Sequence, residues 1–120
     1  MGGRSEKAIV KEIKNFLNGL DGCFCYKTHG GMYESLKGQP DISGCFYGLR
    51  FDFEVKKPGE EPTPLQKAVI RKMRKAGDIA GVVRSVDEVM AIMLLLCRSK
   101  REDTASIKEA KKILKKGLAE

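Results

Sequence analysis

At 120 residues with 42% hydrophobic side chains, the chain has room for one domain with a modest core. A formal charge of +7 and a pI near 9.3 favour a polyanionic partner, because Lys and Arg neutralise phosphates and release condensed counterions when they bind nucleic acid. The longest apolar run, VMAIMLLLC, is about half of what a membrane span needs, and the start MGGRSEKAIV has no apolar h-region, so a soluble protein that is not secreted is expected.

Residues 5 to 20 repeat apolar side chains at Ile9, Ile13, Phe16, Leu17 and Leu20, the spacing of one helical stripe, with Gly19 and Gly22 near its end. CFCYK at 23 to 27 predicts a short strand, and THGGMYESLKGQP a glycine-rich loop of the sort that carries function. PDISGCF and LRFDFEVK alternate apolar and polar residues around Tyr47-Gly48, the pattern of a β-hairpin. After the connector KPGEEPTP, Thr63, Pro64 and Gln66 fit an N-cap, a first-turn proline and the third-position partner of a capping box. A second helix is expected from there to about Ala76, stopping at Gly77.

IAGVVR is an expected buried strand. Ser85 with Glu88 forms another capping box, opening a third helix that turns Val86, Val89, Met90, Met93 and Leu94 inward. RSKRED is a charged surface linker, and a last amphipathic helix follows with Ile107, Ala110, Ile113, Leu114 and Leu118 on one side. The order αβββαβ plus C-terminal helices predicts the α/β class: a small mixed sheet flanked by helices.

The four cysteines Cys23, Cys25, Cys45 and Cys97 read as reduced thiols of a cytoplasmic protein. Cys23-x-Cys25 followed by His29 lacks the usual gap between paired zinc ligands, and no second pair follows. No structural zinc is expected.

With Tyr47 and Gly48 as the hairpin loop, one face pairs Phe46 with Leu49, Gly44 with Phe51 and Ile42 with Phe53. The other face pairs Cys45 with Arg50, Ser43 with Asp52 and Asp41 with Glu54, whose β-carbons are then roughly 5 Å apart. Like charges directly opposite each other destabilise a sheet unless something positive lies between them. Carboxylate oxygens, the Val55 carbonyl and water suit a hard cation such as Mg²⁺ or Mn²⁺. Lys56 projects from the same face as Glu54, about 7 Å along the strand. A metal and an ammonium together can activate water, neutralise a scissile phosphate and stabilise a leaving oxygen.

Further residues join these by position. Glu6 lies within about 30° of the centre of the first helix's apolar stripe, so it faces inward and either reaches the metal, directly or through water, or serves as an acid at the helix N-terminus. Gln66, in the first turn of the second helix, either hydrogen-bonds water, Lys56 or phosphate, or only completes its capping box. Lys27, Lys37 and Lys57 border the proposed site as DNA contacts, with His29 either touching phosphate or idle in its loop. Lys67, Arg71, Arg74 and Lys75 read as a solvated helix face.

At these residues the chain resembles the PD-(D/E)xK nuclease superfamily, with Pro40-Asp41 as the PD and Glu54-Val55-Lys56 as the ExK. Within it the resemblance is to the virus-type replication-repair nuclease (VRR-NUC) family. The similar string runs from SEKAIVKEIKNFL through YKTHGG and GQPDI to FEVKKPGEEPTPLQKAVIRKMRKAG and GVVRSVDEV. That resemblance implies a restriction-endonuclease-like core in a nuclease domain over residues 1–98. It further implies a Mg²⁺- or Mn²⁺-dependent, structure-selective DNA endonuclease acting on branched DNA such as Holliday junctions or flaps. Asp41, Glu54 and the Val55 carbonyl would be metal ligands and Lys56 catalytic, with Glu6 and Gln66 also in the active site. A homodimer is implied, in a bacterial cytoplasm or a phage-infected cell. Residues 99–120, a charged linker and amphipathic helix, lie outside the string and are expected to pack on the domain or at a dimer interface. The alternative is a non-catalytic DNA-binding module that retains the nuclease fold.

Overall fold

Ser5 accepts a hydrogen bond from Ala8 N and opens α1 (Glu6–Asn18), so the sequence SEKA supplies its own N-cap. The structure, a computed structural model, describes residues 3–28, 37–98 and 112–114. After α1 come β1 (Cys23–Lys27), β2 (Ile42–Phe46), β3 (Leu49–Val55), α2 (Pro64–Lys75), β4 (Ile79–Val83) and α3 (Val86–Arg98). The strands form one sheet in the order β1-β2-β3-β4, antiparallel until β4 joins β3 in parallel. A parallel neighbour requires a crossover, and α2 is that crossover. Of the last expected helix, residues 112–114 are helical; the charged linker before them lies outside the described residues.

The hairpin sets the geometry of everything that follows. Tyr47 (φ 46°) and Gly48 (φ 85°) both have positive φ, the turn whose twist matches that of paired strands. Tyrosine rarely adopts this conformation. Its N–H donates to the Gly22 carbonyl at 2.8 Å, and its ring meets Phe46 edge-on at 4.9 Å and covers Gly22. The resulting register pairs Ile42 with Phe53, Ser43 with Asp52, Gly44 with Phe51, Cys45 with Arg50 and Phe46 with Leu49, as the alternation predicts. Phe51 and Phe53 stack at 4.9 Å, and the Phe51 ring occupies the space a Cβ on Gly44 would need. Truncating such a buried phenylalanine costs about 3–5 kcal/mol.

Two helices cover the Phe51 face. Ile9, Val10, Ile13 and Leu17 of α1, with Val89 and Met93 of α3, pack on Ile42, Phe51, Phe53, Val55 and Val83. The inward set expected for α3 needs correction: Met90 and Leu94 are 46% and 55% exposed. The buried line is Val89 and Met93, flanked by Val86, Ile92 and Leu96, because the run VMAIMLLL is apolar around the whole helix and packing alone selects its inner face. The capping box before α3 is also altered. Ser85 caps Glu88 N as expected, but the Glu88 carboxylate reaches one residue further, to Arg84 N at 2.9 Å.

The opposite face is only half covered. Among the described residues it carries α2 over β3 and β4, where Gln66 reaches Glu54, and leaves the β1 side open, with Phe24 and Tyr26 exposed. Single side chains occupy backbone groups of both outer strands. The Asn18 amide bonds Cys25 N at 2.9 Å and Cys25 O at 3.1 Å, and Arg74 Nε donates to Ala80 O at 2.6 Å. Such plugs blunt a sheet edge against further strands. Among the described residues no helix is long and apolar enough to cross a membrane.

Candidate active site

Asp41 immediately precedes β2 and lies across from Glu54 when the hairpin register is continued by one residue. Its backbone is anchored to the end of β1, since Thr28 N donates to Asp41 O at 2.8 Å and Thr28 Oγ1 to Pro40 O at 2.5 Å. Its Oδ2 accepts from Val55 N at 2.8 Å. The proline fixes the approach, threonine fixes the carbonyl, and the carboxylate is thereby brought to β3.

Glu54 is 2% exposed, between the sheet and α2. Its Oε1 accepts from Gln66 Nε2 at 3.2 Å and lies 3.8 Å from Lys56 Nζ. Its Oε2 is buried and has no hydrogen-bond donor. Burial first, then the charge and hydrogen bond of Asp41, push the Glu54 carboxyl up to about 8, with Lys56 opposing. Two carboxylates in this position need a proton or a cation between them.

Lys56 sits at the end of β3, with its backbone N bonded to Val83 O at 3.1 Å and its side chain largely enclosed. Its ammonium is 4.0 Å from Glu6 Oε1, so α1 and β3 meet at this charge. Burial, and then a hydrogen bond shared with Glu60, raise the Glu6 carboxyl above its ordinary value, and that same bond lowers Glu60. Glu6 is the first-turn acid of α1, and its carboxylate faces the Lys56 ammonium.

Of the alternatives for Gln66 the capping box is present, and its amide also reaches a partner the sequence did not suggest, Glu54. Gln66 N donates to Thr63 Oγ1 at 3.1 Å and Gln66 Oε1 accepts from Thr63 N at 2.9 Å, a complete capping box. With the amide oxygen engaged there, the amide nitrogen is left to point at Glu54.

A divalent cation fits these donors. Glu54 Oε2 has no donor and can turn to it, while Oε1 is held by Gln66 and, on Asp41, Oδ2 by Val55 N. The carboxylate set is a pair: no group of three or more His, Cys, Asp or Glu that could hold a metal occurs among the described residues. Remaining positions would fall to the Val55 carbonyl, water or a phosphate oxygen, which Mg²⁺ and Mn²⁺ accept.

The expected DNA contacts are spread. Lys27 ends β1 and Lys37 lies in the glycine-rich loop, both exposed. Lys57 is paired with Glu60 at 3.4 Å. His29 lies outside the described residues. Cys23 and Cys25 turn into the core, where burial raises the Cys25 thiol to about 11.

Sequence reasoning missed Glu60 and Arg84. Arg84 Nη1 donates to Lys57 O at 2.7 Å and Glu60 O at 2.6 Å, clamping the loop between Lys56 and α2. Only the fold brings an arginine after β4 to that loop. A second acid pair was missed too. Asp52 is fully buried and bonded by Ser43 Oγ and by Arg50 Nε at 2.9 Å. Burial would raise Asp52, but bonds from Asp78, Arg50 and Ser43 outweigh it and hold the carboxyl low. Burial and the bond to Asp52 raise Asp78 to about 7. Neither Asp78 oxygen meets a donor in good hydrogen-bond geometry, and Arg50 Nε stands 4.0 Å from Oδ2. A cavity of about 450 Å³, lined in part by Arg50, Met73 and Asp78, opens beside this pair.

No protein-family profile and no curated protein matches the chain. Solved structures do. A "VRR_NUC domain protein" superposes with a TM-score of 0.66 at 18% identity, covering 79% of this chain and 89% of the other. A "VRR_NUC domain" superposes with a TM-score of 0.62 at 26% identity, covering 75% of this chain and 96% of the other.

Proposed function

We propose that this chain, which has the VRR-NUC fold, is a metal-dependent DNA endonuclease that hydrolyses phosphodiester bonds in branched DNA. One observation carries the reading: the buried Glu54 is pressed against Asp41, keeps an unpartnered oxygen and has an ammonium 3.8 Å away. A structural strand face gains nothing from such a group, because a buried carboxylate oxygen left without a donor destabilises the fold.

Asp41, Glu54 and the Val55 carbonyl would hold Mg²⁺ or Mn²⁺. When bound, the cation neutralises charge on the scissile phosphate and makes water more acidic. Lys56 keeps one hydrogen-bonding ammonium beside Glu54 and Glu6, suited to holding the attacking water or a phosphate oxygen as negative charge develops. Gln66 fixes the rotamer of Glu54. Glu6, on the far side of Lys56, restrains the ammonium and can share a water with the metal. Lys27, His29, Lys37 and Lys57 are assigned to the phosphate backbone, which positions the duplex and carries no sequence information. A homodimer would set two such centres on the two strands of a junction.

The test is cleavage of labelled four-way junction, flap, splayed-arm and nicked duplex DNA with Mg²⁺ or Mn²⁺, repeated with Asp41→Ala and Lys56→Ala. Metal-dependent cutting that both substitutions abolish is expected. Binding without cleavage of any of these DNAs would leave a non-catalytic module, and cutting that survives both substitutions would remove the site from the reaction.

A further inference from the structure

The uncovered half of the sheet has a composition of its own. Across it run two rows of side chains on the face that carries Glu54: Phe24, Cys45, Arg50 and then Tyr26, Ser43, Asp52. Phe24 is 68% exposed and Tyr26 50%, with ring centroids 6.3 Å apart. Asp52 binds two nitrogens of the Arg50 guanidinium, yet the Arg50 side chain remains 63% exposed. Between the aromatic wall and the guanidinium lies a floor of small residues, Ser43 and Cys45, and the hollow so formed measures about 270 Å³.

We infer that this trough seats unpaired nucleobases of a single DNA strand, stacked on Phe24 and Tyr26, with Arg50 against the bases or their phosphates. Exposed rings on a sheet reward ligands that bring free π-faces, and a base offers one only when it is out of the duplex. The protein carries the charge to attract a polyanion, while Asp52 offsets and orients Arg50, so that its plane rather than its net charge is on offer. A second protein strand is the less suited occupant, because Asn18 already fills the outward groups of Cys25 on β1. The trough and the candidate site share one face of the sheet: four residues along the strands, about 13 Å, separate the Phe24 row from Asp41 and Glu54. A strand lying in it leads to the carboxylate pair. The inference deepens the nuclease reading by giving the substrate a single-stranded arm, and rests on that reading for the arm's fate but not for its binding.

The chain has no tryptophan, so Tyr26→Trp supplies a single reporter at an exposed position. Its fluorescence and the anisotropy of a fluorescein-labelled mixed-sequence oligonucleotide are read in EDTA, where no cleavage intervenes. Quenching by the single strand is expected, with weak quenching by the same strand made abasic and by the matching duplex. The wild-type protein should hold the intact strand about five- to hundredfold tighter than the abasic one, and Phe24→Ala with Tyr26→Ala should erase that preference. Equal affinity for intact and abasic strands, or a double variant that keeps the preference, overturns the inference. So does a double variant whose mass falls by half in light scattering, because the rings then join two copies. Quenching in a protein that cuts no DNA would keep this inference and sink the nuclease reading; cutting without quenching does the reverse.

Discussion

Gln66 Nε2 donates to Glu54 Oε1 at 3.2 Å while the same amide closes the capping box on Thr63, so the start of α2 is keyed to the carboxylate pair. Gln66→Glu keeps an oxygen for Thr63 N but replaces the donor facing Glu54 with a third acid. Without a cation it should melt below wild type, since three carboxylates then crowd one buried point, and with metal cleavage should fall on the order of 10- to 100-fold, the usual effect of disturbing a group that orients a metal ligand. Gln66→Ala should lose about 1 kcal/mol of stability as well. Full activity in Gln66→Glu would show that the amide only caps the helix.

Metal affinity should depend on pH through Glu54. In the protein without a cation this carboxyl is held up to about 8, so below that pH a metal must displace a proton. Mn²⁺ affinity measured by titration calorimetry should rise by up to about tenfold per pH unit from pH 6 and level off above about 8, and chelation by EDTA should end cleavage. Affinity that is flat across this range would separate Glu54 from the metal.

Lys56→Ala should separate binding from chemistry. Removing the ammonium 3.8 Å from Glu54 and 4.0 Å from Glu6 leaves the site more negative, so Mn²⁺ should bind at least as tightly as in wild type. The single-turnover rate should nevertheless fall by about 10² to 10⁴, the range for losing a positioned proton-handling group. A variant that loses metal binding instead would make Lys56 a structural prop.

The hairpin was legible in the sequence because Tyr47-Gly48 and a period of two leave a single register that buries Phe51 and Phe53 together, and that register delivers Asp41 to Glu54. Gln66 was legible as a cap, though its bond to Glu54 was not, because that contact depends on how α2 lies over β3. The inner face of α3 was not: Met90 and Leu94 are as apolar as Val89 and Met93, and only docking on α1 and β4 chooses between them. CFCYK hides its outer face in the same way, because every position but the last is compatible with a core. Glu60 and Arg84 were beyond reach, because their roles arise from a loop and a strand end that the parallel crossover brings together.

The Asp52–Asp78 couple should leave a signature in stability rather than in cleavage. Folded Asp78 titrates at about 7 against an ordinary value of 3.8, so between those limits the native state holds a proton that the unfolded chain has released. The stabilisation from that proton is full below about pH 3.8 and lost progressively as pH rises to about 7. Glu54 contributes a term of the same sign up to about pH 8, so wild type alone would not isolate the couple. Asp78→Asn does isolate it, because its amide can still donate to Asp52 but does not titrate. The stability of Asp78→Asn relative to wild type, from urea unfolding at pH 5, 6, 7 and 8, should rise steadily to about pH 7 and then level off. A difference that stays constant across the series would mean that Asp78 is an ordinary carboxylate and that Asp52 is neutralised by Arg50 alone.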